Sequence, residues 1–233
     1  MREKVFPLLN SLCKERGVYF KPVDLSWSPR DKRVDDGHLL TTLLHQIEHC
    51  SPFFIGLVGE RYGARRRQNS PLLTEKSEPL DWLDRNLQVA AASGYPWVLD
   101  ASVQRKSLFE IQSVYAGLPD CPRRHLLYKN SDTQCTFYFR QPEHKDDLFK
   151  HLSPAQRRRK LRLYEPEDSL SKQQVRAMKS DVITAGHTVT YFCTPEQLAE
   201  IVLEDWKKII DEFCPPLFHS LNVTSNGKIR IFS

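Results

Sequence analysis

The stretch Pro52-Phe53-Phe54-Ile55-Gly56-Leu57-Val58-Gly59 decides the fold. Six residues without a charge lie between a proline and a glycine. A half-buried strand alternates apolar and polar residues; this one does not, so it reads as a strand covered on both faces, as in a parallel sheet. The segments on either side fit that reading. His38 to Cys50 places Leu39, Leu40, Leu43, Leu44 and Ile47 on one helical face. Leu80 to Ala92 reads as the next helix, ended by Gly94. Ser107 to Ala116 opens with Ser107 and Glu110 in the S-x-x-E capping pattern. Cys135 to Phe139 and His187 to Phe192 read as further strands, with a helix over Ser171 to Ala185 between them. Thr194-Pro195-Glu196-Gln197 opens a last helix whose stripe runs from Leu198 through Trp206 to Phe213.

Nearer the start, Val5, Leu8, Leu9 and Leu12 have helical spacing, and Gly17 closes that helix. Val18 to Leu25 reads as a short buried strand, and Tyr95 to Leu99 as an extended segment. Helices and strands thus alternate along the chain. Alternation predicts an α/β fold, a parallel sheet flanked by helices on both faces. Residues 64–78 and 141–166 read as polar surface excursions. The expectation is one domain over 1–215 and a weakly patterned tail over 216–233.

Composition sets limits. The chain has 233 residues, 40% hydrophobic and 27% charged, enough for a packed core. No apolar run approaches the roughly 18 residues of a membrane span, and no apolar leader follows Met1, so a cytoplasmic location is expected. The net charge of +5 is mild. Arg65-Arg66-Arg67, Arg123-Arg124 and Arg157-Arg158-Arg159-Lys160 are read as solvated faces. They carry no interleaved aromatics, so nucleic acid is not the expected partner. Cys13, Cys50, Cys121, Cys135, Cys193 and Cys214 form no CxxC pair and are read as small apolar groups in a reducing compartment.

The chain contains neither a Walker-type loop nor a G-x-G-x-x-G turn, and no cofactor is expected. His45-Gln46-Ile47-Glu48-His49 matches the H-x-x-E-H zincin pattern, in which two histidines one helical turn apart hold zinc. No third ligand presents itself, so a zinc hydrolase is a remote alternative and no metal is expected. Gly59-Glu60-Arg61-Tyr62-Gly63 leaves the end of the first buried strand, where open α/β sheets bind ligands. Asp24, Trp27, Arg61, Tyr62, Ser107 and Glu110 are expected to converge there. The plainer reading is that Glu110 completes a helix cap and Arg61 pairs with it or with another acid.

Val5-Phe6-Pro7-Leu8-Leu9, Gly17-Val18-Tyr19-Phe20, Val23-Asp24-Leu25-Ser26-Trp27, Ser51-Pro52-Phe53-Phe54-Ile55-Gly56 and Gly59-Glu60-Arg61-Tyr62-Gly63 succeed one another in that order. Together they resemble the TIR-like N-terminal region that precedes the NACHT NTPase in nephrocystin-type and telomerase-associated proteins, some of which carry tetratricopeptide repeats. Ser107-Leu108-Phe109-Glu110-Ile111 resembles the later Ser-x-x-Glu helix of that family. The resemblance implies a TIR-like or flavodoxin-like sheet. The family's opening strand has no counterpart here, and the expectation is a truncated relative whose sheet lacks its first strand. It also implies a non-catalytic module that binds an unidentified protein partner. The alternative it implies is a glycohydrolase acting on an NAD-type nucleotide, with Glu110 catalytic and Asp24, Trp27, Arg61, Tyr62 and Ser107 around the substrate.

Overall fold

The computed structural model describes residues 1, 3–27, 32–118, 134–141 and 149–216. Cys121 and the Arg123-Arg124 pair, and the tail beyond residue 216, lie outside them. The described residues fall into two compact units, one of residues 1–22 with 195–216 and one of residues 23–194.

The larger unit is α/β. Helices α2 (Lys32–Asp35) and α3 (Leu39–Cys50) lead into strand β1 (Phe53–Val58). Helix α4 (Trp82–Ala92), a 3-10 turn (Pro96–Leu99) and helix α5 (Leu108–Ala116) precede strand β2 (Gln134–Arg140). Helix α6 (Pro154–Leu161), a second 3-10 turn (Arg162–Tyr164) and helix α7 (Ser169–Thr184) precede strand β3 (Thr188–Phe192). The three strands form one sheet in the order β1-β2-β3, parallel throughout. β2 is central and carries the sheet's hydrophobic weight in Phe137, Tyr138 and Phe139, all buried. Gly56 pairs with Phe137 in the β1–β2 register. A Cβ there would stand 2.3 Å from the Phe137 ring, so only glycine leaves room for it.

Local chemistry explains the helices. Asp81 caps α4, accepting from Leu83 N at 2.9 Å and Asp84 N at 3.0 Å. Helix α3 has no side-chain cap of its own. Asn86 of α4 supplies one from outside: its Oδ1 accepts from Leu39 N at 2.8 Å and Leu40 N at 3.3 Å, and its Nδ2 donates to Val34 O and Trp82 O. Helix α5 is buried on nearly every side. Its polar Gln112 and Ser113 bond back to Leu108 O and Phe109 O, which satisfies them without water. Helix α3 packs against it, and Leu39, Leu43 and Leu44 of α3 share one hydrophobic cluster with Leu83 and Leu87 of α4.

The smaller unit pairs helix α1 (Val5–Lys14) with helix α8 (Pro195–Phe213). Val5, Leu9 and Cys13 form the buried stripe of α1, and Leu198, Val202, Trp206 and Ile210 that of α8. Phe20 bridges Phe6 and Trp206, with ring centroids 6.0 and 6.1 Å away. Arg16 closes the unit, donating to Cys214 O at 3.1 Å and pairing with Asp211.

Four expectations need correction. Strand β1 is not covered on both faces: Phe54, Gly56 and Val58 are buried, whereas Phe53 and Ile55 are half-buried and Leu57 is 45% exposed. Val18 to Leu25 is not a strand. Among the described residues no strand lies beside it, and apolar content alone cannot replace the missing ladder. Tyr95 to Leu99 is not extended: Pro96 starts a 3-10 turn, and Trp97 stacks on Tyr115 with centroids 5.4 Å apart. Residues 141–166 contain helix α6, closed at its start by a complete capping box between Ser153 and Gln156.

Candidate functional site

The crevice is expected at the loop that leaves the carboxyl end of β1. Tyr62, in that loop, turns inward and is almost fully buried. Its hydroxyl accepts from Ser107 N at 3.2 Å and donates to the Glu110 carboxylate. Ser107 in turn caps α5, accepting from Glu110 N at 3.2 Å. In a reciprocal capping box the Glu110 carboxylate would reach back to Ser107 N. Here the tyrosine hydroxyl stands between them and relays that contact. The second carboxylate oxygen of Glu110 pairs with Lys106, one helical turn away. Glu110 is only 6% exposed, and these two partners occupy both its oxygens. Burial, then the neighbouring Glu110 charge and its hydrogen bond, push the Tyr62 phenol well above its usual range.

Arg61 points elsewhere, to Glu167 just before α7. Its Nε donates to Glu167 Oε1 at 3.0 Å. Tyr62 N donates to Oε2 at 3.1 Å and Gly63 N to Oε1 at 3.2 Å. The two successive N–H groups of Tyr62 and Gly63 thus face one anion. Burial pulls the Glu167 carboxyl up. Its own backbone N–H, Arg61 and the amides of Tyr62 and Gly63 outweigh that and hold it below the usual range. Next to it, Asp168 caps α7 through Ser171 N at 2.6 Å and pairs with Arg65 at 3.0 Å. Glu60 pairs with Lys179 of α7 at 3.1 Å. The loop is thus tied to α7 and the segment before it by three acid–base pairs.

The remaining expected residues, Asp24 and Trp27, have these contacts. Asp24 accepts from Ser26 N at 2.8 Å within its own turn. Trp27 packs on Trp82 at 5.3 Å between centroids and against the core. Ser107, Tyr62 and Glu110 are therefore brought together, and Arg61 adjoins them along the backbone. The plainer reading of Arg61 as paired with an acid describes what is seen, the acid being Glu167.

The zincin pattern dissolves in the helix. His45 and His49 stack at 4.2 Å between ring centroids, and His49 Nδ1 lies 2.9 Å from His45 O. Glu48 faces the other way, where the hydroxyls of Tyr95 and Tyr115 bond to it. Among the described residues no three metal-ligating side chains come together.

Sequence reasoning missed Glu167 and Lys106. Lys106 was readable, since it lies four residues before Glu110. Glu167 is more than a hundred residues from the loop it holds, and nothing local marks it. One basic cluster also differs from expectation. Arg66 is buried, not solvated: its Nε pairs with Asp84 at 2.6 Å, and its other nitrogens reach Pro71 O and Gln104. The polar loop 64–78 needs this internal anchor because it has few apolar residues of its own.

Comparisons with known proteins place the chain beside repeat proteins. It is 30% identical over 230 residues to tetratricopeptide repeat protein 41 of Rattus norvegicus, covering 92% of this chain and 17% of that protein. It is 27% identical over 214 residues to a TPR repeat-containing protein of Dictyostelium discoideum, 91% of this chain and 11% of the relative. Over 69 residues it is 36% identical to NACHT and WD repeat domain-containing protein 2 of Homo sapiens, 27% of this chain and 4% of that protein. The chain spans less than a fifth of the length of these relatives. These homologues bear out the resemblance to NACHT and tetratricopeptide-repeat proteins. No protein-family model matches the chain. No solved structure matches it. None of the described helices is long and apolar enough to cross a membrane.

Proposed function

We propose that this chain is a non-catalytic protein-interaction module, a TIR-like region of the kind that accompanies NACHT and repeat segments in longer proteins, working in the cytoplasm. Helix α6 is the observation that carries the reading. It buries no residue, and Arg158, Arg159 and Lys160 project from it, with Arg162 just beyond. None of these four cations has an ion-pair or hydrogen-bond partner among the described residues. A helix that is polar all round and has no i,i+4 acid to pair with gains little from its own domain. Its charge is disposed for an acidic protein surface, where arginine forks pair with carboxylates. The test is affinity purification of the tagged chain beside an Arg158→Glu/Arg159→Glu/Lys160→Glu variant. Acidic proteins retained by the first and lost by the second support the reading. An unchanged set of captured proteins refutes it.

The second reading, an NAD-type glycohydrolase, rests on Glu110, a buried carboxylate beside the loop after β1. Both its oxygens are engaged, by Tyr62 and Lys106, which favours a structural role. The two readings part on a simple assay. Nicotinamide release from NAD by the purified chain, abolished by Glu110→Ala, would establish the enzyme. The expected result is no release.

A further inference from the structure

Three N–H donors in the loop after β1 converge on one carboxylate. Arg61 Nε, Tyr62 N and Gly63 N all lie 3.0–3.2 Å from the oxygens of Glu167. We propose that Arg61–Gly63 is an anion subsite for a phosphoryl group, and that Glu167 is its internal occupant, displaced when such a ligand binds. This goes beyond the interaction reading and stands whether or not that reading holds.

The position is the one at which a parallel sheet receives ligands, outside the carboxyl end of a strand. The donors are of the kind that cradle phosphate: two successive backbone amides on one side of the chain, and a guanidinium. Three donors suit the three oxygens of a phosphoryl group, whereas the carboxylate meets them with two. Arg140 ends β2, and its guanidinium lies 3.6 Å from where a side chain on Gly59 would begin. Arg140 donates to Tyr164 O at 3.4 Å and lies over the Tyr164 ring at 4.2 Å. The Arg140 Nε is buried without a hydrogen-bond partner among the described residues. Glu60, the nearby acid, is taken up by Lys179. Glu167 is not needed to fasten the α7 end, since the adjacent Asp168 both caps α7 and pairs with Arg65. Solvent reaches the contact, with side-chain exposures of 47% for Arg61 and 26% for Glu167.

The experiment is a titration of the isotope-labelled full chain with inorganic phosphate, and separately with ADP, monitored at the amide resonances of Tyr62 and Gly63. Saturable shifts at these two amides are expected, with affinity raised about tenfold or more in Glu167→Gln, because the competing occupant is weakened. Arg61→Ala is expected to remove the saturable shifts. Tighter binding of ADP would name a nucleotide as the source of the phosphoryl group, and equal binding the free anion. Shifts that chloride reproduces at matched ionic strength would overturn the proposal. So would equal affinity in the parent and Glu167→Gln. If Glu167→Gln loses its far-UV circular dichroism, Glu167→Asp, whose shorter side chain withdraws from the loop, takes its place with the same expected gain.

Discussion

Replacing Asp84 with asparagine removes the anion from a site where Arg66 stays charged. The side chains of Arg66 and Asp84 are 1% and 3% exposed, and their N···O separation is 2.6 Å. Asp84 also accepts from Leu80 N at 3.1 Å, and Arg66 donates to Pro71 O at 3.0 Å. Gln104, bonded to Arg66, holds Leu73 N at 2.7 Å and Leu99 O at 2.8 Å. One ion pair therefore fixes both ends of the polar loop. Breaking a buried pair on one side costs about 3–5 kcal/mol, because the remaining charge has neither water nor partner. About 4 kcal/mol at about 3 °C per kcal/mol gives a fall of about 12 °C in the melting temperature of the larger unit. Tryptophan fluorescence in a Trp206→Phe background reads that unit alone, since Trp27, Trp82 and Trp97 all belong to it. The double variant Arg66→Met/Asp84→Leu is expected to recover most of the loss, because no charge then remains buried. A loss under about 1 kcal/mol for Asp84→Asn, or a double variant as unstable as the two single losses added, would refute the reasoning.

Four further outcomes are expected. Asn86→Leu leaves the amides of Leu39 and Leu40 without their cap, at about 2–4 kcal/mol, and hydrogen exchange at those two amides should rise to match. Gly56→Ala drives a methyl into the Phe137 ring and costs about 1–3 kcal/mol; in a Phe137→Leu background the cost should shrink, and denaturant melts of the four proteins give the coupling. Two groups shape the pH profile. Tyr62 keeps its proton in the fold above its usual value of 10.0, so its stabilisation is complete below that pH and is lost as pH rises through the higher folded value; Tyr62→Phe should flatten the alkaline limb of urea midpoints. Glu167 has the opposite sign: its contribution is present above its usual 4.5 and is lost as pH falls through the lower folded value, so Glu167→Gln should flatten the acid limb.

The sheet is legible in the sequence because its strands are dense in apolar and β-branched residues. Phe53–Val58, Gln134–Arg140 and Thr188–Phe192 lie within a residue or so of the expected bounds. Val18 to Leu25 is alike in composition and forms no strand, since a strand exists only by pairing and composition does not reveal the neighbour. Helix α6 escapes a sequence reading although Ser153-Pro154-Ala155-Gln156 repeats the start signal of Thr194-Pro195-Glu196-Gln197. The difference lies in the residues after the signal: an apolar stripe from Leu198 in one case, four cations from Arg157 in the other. Ser107 is legible as a cap. That Tyr62 stands between it and Glu110, and that Glu167 holds Arg61, depends on contacts between distant segments, which no local pattern encodes.

The partnership of α1 with α8 sets a schedule on synthesis. About 180 residues separate Lys14 from Pro195. At roughly 5–20 residues per second the ribosome takes about 10–40 s to cover that distance. For most of that interval Val5, Leu9 and Cys13 are outside the exit tunnel, and the helix that will cover them has not been made. The intervening α/β unit can fold meanwhile, so the nascent chain is a finished body joined to a greasy, uncovered helix, and a chaperone waiting at the tunnel mouth would find its binding site there.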